Sequence, residues 1–231
     1  MLFITQKKSG ARKVLKWGGL VLAGVVLVLA VWLGPMLLGY YRFSEHVDAT
    51  SFAATEAGGA WPRVSDACMP CHGVGGNPVS PVYARLAGQP KAYLVKQLTA
   101  FASGERVSPT MAPLALDLRA EEIDRLATFF AAQPVVTTPP ALVDAAQVQR
   151  GERLAKTGSC IACHGADFHG QEANARLAGQ GSLYLARQLR DFKSGARRDP
   201  QGAMTSVAAT LSDDDIENLA QYLSTLPVRS D

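Results

Sequence analysis

Cysteine is scarce in this chain, with four among 231 residues, and none of them stands apart. Cys68, Cys71, Cys160 and Cys163 fall into two short units, so no thiol is left over for a disulfide framework. Acidic residues are missing from the first 44 positions, and charge of either sign is missing from Trp17 to Tyr41. An uncharged stretch of that length excludes an ordinary solvated surface segment. Runs of alternating β-branched residues are also lacking, which argues against a sheet. The net charge of +3 hides an uneven distribution. Residues 47–231 hold 17 Lys and Arg against 19 Asp and Glu, a formal charge of −2. That balance leaves no basic footprint for nucleic acid.

What is present is a repeated motif. Cys68-Met69-Pro70-Cys71-His72 and Cys160-Ile161-Ala162-Cys163-His164 are both Cys-x-x-Cys-His. The pattern reads as covalent attachment of a c-type haem. Two thiols three positions apart can form thioethers to one porphyrin edge, and the adjoining imidazole then reaches the iron from one face. The competing reading is a zinc site of four thiolates, which would have to bring the two pairs together across 88 intervening residues and would leave the histidines unexplained. Two covalently bound haem c groups are therefore expected, on Cys68, Cys71, Cys160 and Cys163.

The uncharged run is densest from Leu20 to Leu33. As a helix, residues 17–41 would extend roughly 37 Å, against ~30 Å of bilayer hydrocarbon. A cleaved signal peptide is the alternative, but its apolar region is usually about 7–15 residues long and ends in small residues. Here the run is longer and ends in Leu-Leu-Gly-Tyr-Tyr. Trp17, Trp32, Tyr40 and Tyr41 are residue types favoured at membrane interfaces. Pro35 after Gly34 is expected to kink or end the helix. Lys7, Lys8, Arg12, Lys13 and Lys16 precede the span, so the positive-inside rule keeps residues 1–16 cytoplasmic and exports the chain beyond Arg42. A bacterial inner-membrane protein with one span and periplasmic haem domains is the expectation.

The exported region is a duplication. Arg85-Leu86-Ala87-Gly88-Gln89 recurs as Arg176-Leu177-Ala178-Gly179-Gln180, and Tyr93-Leu94-Val95-Lys96-Gln97-Leu98 as Tyr184-Leu185-Ala186-Arg187-Gln188-Leu189. Phe101 and Phe192 come next, then Ser103-Gly104 and Ser194-Gly195. Spacings of three and four predict helices through Tyr93–Phe101, through Ile123, Leu126, Ala127 and Phe130, and through Ile216, Leu219, Ala220 and Leu223. Ser212 with Asp215 is a capping box. Arg119 is a poor cap at the aligned position, and Asp117 is the expected substitute. Pro134 and Pro227 end the last helices. Three to four short helices per repeat are expected, packed around haem. The chain thus divides into 1–16, a span at 17–41, a tether at 42–60, haem domains at 61–134 and 147–231, and a linker at 135–146. Fully extended, the tether would reach at most ~65 Å.

The second axial ligand decides what a haem does, since methionine closes the iron for electron transfer and an open position permits catalysis. Met1, Met36 and Met69 are poorly placed. Met111 and Met204 lie 39 and 40 residues beyond His72 and His164 at matched positions, so the axial pairs are read as His72 with Met111 and His164 with Met204. The bland reading of either methionine is core filler. His169 is a rival in the second repeat, whereas the first repeat has Asn77 there; His46 falls in the tether. Arg85 and Arg176 have two readings, a close helix approach beside Gly or a guanidinium fork on a haem propionate.

On these residues the chain resembles the dihaem cytochrome c4 family over roughly residues 61–228. The matches are both Cys-x-x-Cys-His-Gly units, both Leu-Ala-Gly-Gln blocks, and Met111 and Met204 before a final amphipathic helix. The resemblance implies an all-α fold in which one N-terminal transmembrane helix precedes two tandem class I cytochrome c domains. It also implies a high-potential electron relay, from a quinol-oxidising complex to a haem-copper terminal oxidase, with no catalytic residues and no small-molecule substrate. Two departures stand out. Family members commonly carry a cleavable signal, and a proline whose carbonyl orients the axial histidine in class I cytochromes is Ala84 and Ala175 here. A fixed haem-bearing subunit of an oxidase or dehydrogenase, and a dihaem peroxidase, are the competing functions.

Overall fold

The computed structural model describes residues 7–58, 63–136 and 143–228. Residues 1–6, 59–60 at the end of the expected tether, 61–62 at the start of the first expected haem domain, 137–142 within the expected linker and 229–231 at the end of the second expected haem domain lie outside the described residues. The chain divides into two compact units, residues 1–61 and 62–231.

The first unit is one helix, α1 (Lys7–Gly58). Trp17–Arg42 within it has a mean hydropathy of 2.6 and is long and apolar enough to cross a membrane. Pro35 lies inside α1 and does not end it. Proline removes one backbone bond, and the flanking turns of a long apolar helix tolerate that loss. Most of the expected tether is helical. Backbone from 42 to 58 stays helical, so those 17 residues rise about 25 Å at the helical pitch rather than extending fully.

The second unit is all helical among the described residues. Its first repeat contains a short turn α2 (Met69–His72), then α3 (Lys91–Ala102), α4 (Met111–Ala115) and α5 (Ala120–Ala131). Its second contains α6 (Ala145–Thr157), α7 (Cys160–His164), α8 (Ser182–Ser194), α9 (Ala203–Ala209) and α10 (Asp213–Thr225). The haem motifs and the methionine segments thus form helical turns of their own beside the longer helices. Leu94 of α3 meets Leu126, Ala127 and Phe130 of α5 in one buried cluster. In the second repeat Leu185 and Ala186 of α8 meet Ile216, Leu219, Ala220 and Leu223 of α10, and Ala155 of α6 joins them. Each fully buried Leu, Ile or Phe side chain contributes about 1.5–3 kcal/mol.

Close approach of α6 to α10 depends on Gly151. A Cβ there would stand 2.0 Å from the Asn218 carbonyl oxygen and 2.7 Å from Tyr222 Cβ. Helix starts follow their caps. Ser212 Oγ accepts the Asp215 N–H at 3.1 Å, while the Asp215 carboxylate accepts the Ser212 N–H at 3.0 Å, completing the expected box. At α5 the expected role of Asp117 is taken by Glu122. Its carboxylate accepts the Arg119 N–H at 2.9 Å and pairs with the guanidinium, so the arginine is held by its own third neighbour.

The loops after the two haem motifs solve one packing problem in opposite ways. Gly76 has φ +82°, and its carbonyl accepts the N–H groups of Leu86 and Ala87. Phe168 occupies the matching place with φ +57°, and its carbonyl accepts from Leu177 and Ala178. A Cβ on Gly76 would stand 2.9 Å from the Phe130 ring, whereas the second repeat has Leu223 opposite and lets Phe168 fill the core. An aromatic ring enters from the loop in one repeat and from the last helix in the other.

Candidate functional site

The second haem motif is one helical turn, Cys160–His164, and in the first Cys68 ends a 3-10 turn that runs straight into α2, so each histidine stands at a turn's end. Gly73 and Gly165 come next with φ +74° and +82°, reversing the chain directly behind the imidazole. A side chain at Gly73 would collide with the Asn77 carbonyl oxygen at 2.0 Å. No disulfide joins any of the four cysteines. Burial pushes the Cys68 thiol up, with the Asp66 charge and Cys71 adding to it, and burial likewise raises Cys160. Among the described residues no three His, Cys, Asp or Glu side chains converge on a common point, so the four-thiolate zinc reading finds no geometry.

The two axial-histidine candidates are held alike. His72 Nδ1 lies 2.8 Å from the Ala84 carbonyl oxygen, and His164 Nδ1 lies 2.8 Å from that of Ala175. The departure from proline therefore leaves this contact intact, because the acceptor is the backbone carbonyl and alanine supplies one equally well. With Nδ1–H donating there, Nε2 is the nitrogen left to coordinate. Burial lowers both imidazoles below their ordinary range, partly offset by the carbonyl bond. A neutral imidazole with Nε2 free, one turn from two thiols, is a donor set that fits haem c in each repeat.

Met111 opens α4 and Met204 is the second residue of α9. Both are half-buried at the start of a short helix between the two long helices of the repeat. Ser108 Oγ takes the Met111 N–H at 3.1 Å, and Asp199 takes the Thr205 N–H at 3.3 Å, fixing the two helix starts by different side chains. His169 Nδ1 lies 2.9 Å from the Asp167 carbonyl oxygen.

The repeated Arg-Leu-Ala-Gly-Gln block is the seam between the repeats. Arg85, Gln89, Arg176 and Gln180 are 7, 3, 2 and 3 % exposed. Arg85 Nη1 donates to the Gly179 carbonyl at 2.7 Å, and Arg176 donates through Nη2 to Ala87 at 2.6 Å and through Nε to Gly88 at 3.3 Å. The guanidiniums thus reach across to backbone carbonyls of the opposite block. Burial lowers Arg85, and burial with the Arg85 charge pushes Arg176 down to about 10. A second crossing lies beside the first. Arg106 donates to Gln97 at 2.7 Å and Gln188 at 2.6 Å, and Arg197 donates to Gln188 at 2.7 Å and Gln97 at 2.9 Å. Each guanidinium also stacks on its own repeat's Phe101 or Phe192 ring at 4.5 Å. Burial opposes ionisation of Tyr184, but Arg106 and Arg197 outweigh it and draw its hydroxyl below the ordinary range. Sequence reasoning passed over this second crossing. The signal for it was Arg106 and Arg197 each standing two residues after a matched Ser-Gly, with glutamine kept in an apolar helix face.

The comparisons with known proteins agree with this arrangement. The cytochrome c family model matches residues 148–227. The chain is 36 % identical over 191 residues to a thiosulfate dehydrogenase electron acceptor of Thiomonas intermedia (strain K12), covering 78 % of this chain and 88 % of that protein. Among solved structures, the cytochrome c4 of Acidithiobacillus ferrooxidans superposes with a TM-score of 0.64 at 32 % identity, covering 70 % of this chain and 99 % of that one. A thiosulfate dehydrogenase from Marichromatium purpuratum matches with a TM-score of 0.63 at 34 % identity, over 69 % of this chain but 36 % of that one. With its paired haem motifs and tandem helical repeats, the chain belongs to the cytochrome c4 family and is an electron-transfer protein with two covalently bound haem c groups in tandem cytochrome c domains.

Proposed function

We propose that this chain is a membrane-anchored relay of single electrons, its two irons closed by methionine. Cys68 and Cys71 attach one haem and Cys160 and Cys163 the other. His72 with Met111, and His164 with Met204, would hold the two irons. Bound haem supplies the one-electron ferric–ferrous couple. The residues of the chain would set its conditions: the Ala84 and Ala175 carbonyls orient the imidazoles, and the methionine sulfurs would keep water from the iron. The observation that supports this best is the identical tie of both histidines, each 2.8 Å from an alanine carbonyl, in repeats that also match at their methionines.

The haem domains are taken as 61–134 and 147–231, with a linker at 135–146. The span at 17–41 holds them on the periplasmic face of a bacterial inner membrane, with the amino terminus cytoplasmic. Electrons would pass from a quinol-oxidising complex to a haem-copper terminal oxidase. The thiosulfate dehydrogenase electron acceptor among the relatives adds a thiosulfate dehydrogenase as a donor class. A second reading, a fixed subunit of such an enzyme, is favoured by one observation. In the Marichromatium purpuratum thiosulfate dehydrogenase the matched part is 36 % of a longer chain, so the same module is built there into the enzyme itself.

The carbon monoxide difference spectrum of the purified ferrous protein, taken with a haem-per-chain count, tests the closed-iron reading. Two haems per chain without carbon monoxide binding are expected. Binding at one haem would overturn the methionine assignment in that repeat. Purification in mild detergent separates the two partner readings, since a stoichiometric enzyme partner means a subunit and its absence a shuttle.

A further inference from the structure

The peptide unit joining Ala84 to Arg85 makes two bonds of different origin. Its carbonyl oxygen takes the His72 Nδ1–H at 2.8 Å. Its N–H donates to Gln180 Oε1, in the other repeat, at 2.6 Å. The peptide unit joining Ala175 to Arg176 repeats the pattern, with His164 at 2.8 Å on its carbonyl and Gln89 Oε1 at 2.9 Å on its N–H. Each glutamine also donates through Nε2 to the carbonyl of the same arginine, at 3.0 Å for Gln180 and 2.9 Å for Gln89. The amide orientation is therefore fixed from both ends, because a flipped amide would set donor against donor. Both glutamines are buried, 3 % exposed, so water does not compete for these bonds.

We infer that Gln180 is a positioning residue for the axial histidine of the first haem and Gln89 for that of the second, each acting from the opposite repeat through one peptide unit. The inference rests on His72 and His164 being the axial ligands. Amides bonded in series polarise one another. An N–H held by a glutamine oxygen makes the carbonyl of that same peptide a stronger acceptor. A stronger acceptor on Nδ1–H makes the imidazole a richer donor through Nε2, which favours ferric over ferrous iron and lowers the potential. Each repeat thus sets part of the potential of the haem it does not hold.

The test uses the full-length dihaem protein in detergent, with the two haems resolved by paramagnetic NMR during a redox titration. Gln180→Leu is expected to raise the reduced-to-oxidised ratio of the first haem about twofold at fixed ambient potential, roughly 18 mV for a one-electron couple, and to move the second haem less. Gln89→Leu should mirror the result on the second haem. Shifts on the haem of the mutated residue's own repeat, or equal shifts on both, overturn the inference. So does the same crossed pattern in Gln97→Leu or Gln188→Leu made singly, each of which loosens the seam without touching either histidine-bonded peptide. Persistence of the low-spin spectrum of the first haem in His72→Gly would instead overturn the ligand reading beneath it.

Discussion

Replacing Gly151 with alanine sets two local effects against each other, and the structure says which wins. In an exposed helix the exchange would stabilise by about 1 kcal/mol, since alanine is the better helix former. At Gly151 the added Cβ would stand 2.0 Å from the Asn218 carbonyl oxygen, 2.6 Å from its carbon and 2.7 Å from Tyr222 Cβ. Two of these atoms are backbone of α10, which cannot swing aside as a side-chain tip can. Overpacking of this kind costs about 1–3 kcal/mol, and contact with backbone belongs at the upper end. The net loss is about 1–2 kcal/mol, which lowers the melting temperature of a unit this size by roughly 2–8 °C. Thermal unfolding of the holoprotein, followed by far-ultraviolet circular dichroism and by haem absorption, measures it. An unchanged or higher melting temperature would refute the claim that α6 and α10 touch through bare backbone.

Ser212→Ala removes the acceptor for the Asp215 N–H and should cost about 1 kcal/mol, read from the same melting curves. The Ser212 hydroxyl and N–H hold the Asp215 carboxyl below the usual range, so that bond stabilises above the ordinary carboxylate pKa and is lost as pH falls through the lowered value. The gap between variant and parent should therefore narrow at pH values below about 4. Deleting residues 1–42 should move the protein from the detergent phase to the aqueous phase with its haem spectrum unchanged. Purified full-length protein already in the aqueous phase, with an amino terminus beyond the apolar run, would mark that run as a cleaved signal.

The long helices were legible because their apolar residues recur every three or four positions and their ends carry local stop signals. Ser212 and Asp215 could be paired from sequence because a capping box needs only three residues of separation. Glu122 was missed because an arginine side chain has no acceptor to offer as a cap, yet the backbone N–H of Arg119 needs only a carboxylate three residues on. Arg85 and Arg176 resisted reading for a different reason. Their partners are backbone carbonyls 88–94 residues away, and no periodicity marks a carbonyl. The continuation of α1 beyond the apolar run was hidden by small and polar residues of middling helix propensity. The substitution of Ala84 and Ala175 for proline looked like a lost contact in sequence terms, because the letter changes while the oxygen stays.

The glutamine clasps bind main chain, not side chain, and this sets which positions are free to drift. Arg85 could become another residue and still offer Gln180 the same N–H and carbonyl, whereas no other side chain offers an acceptor and a donor at the spacing of Gln180. Each repeat also holds both halves of the clasp, a glutamine to give and a peptide to receive. Two identical single-haem chains related by a two-fold axis would satisfy the same four bonds. The seam of this dihaem chain thus has the form of a two-fold interface closed within one chain.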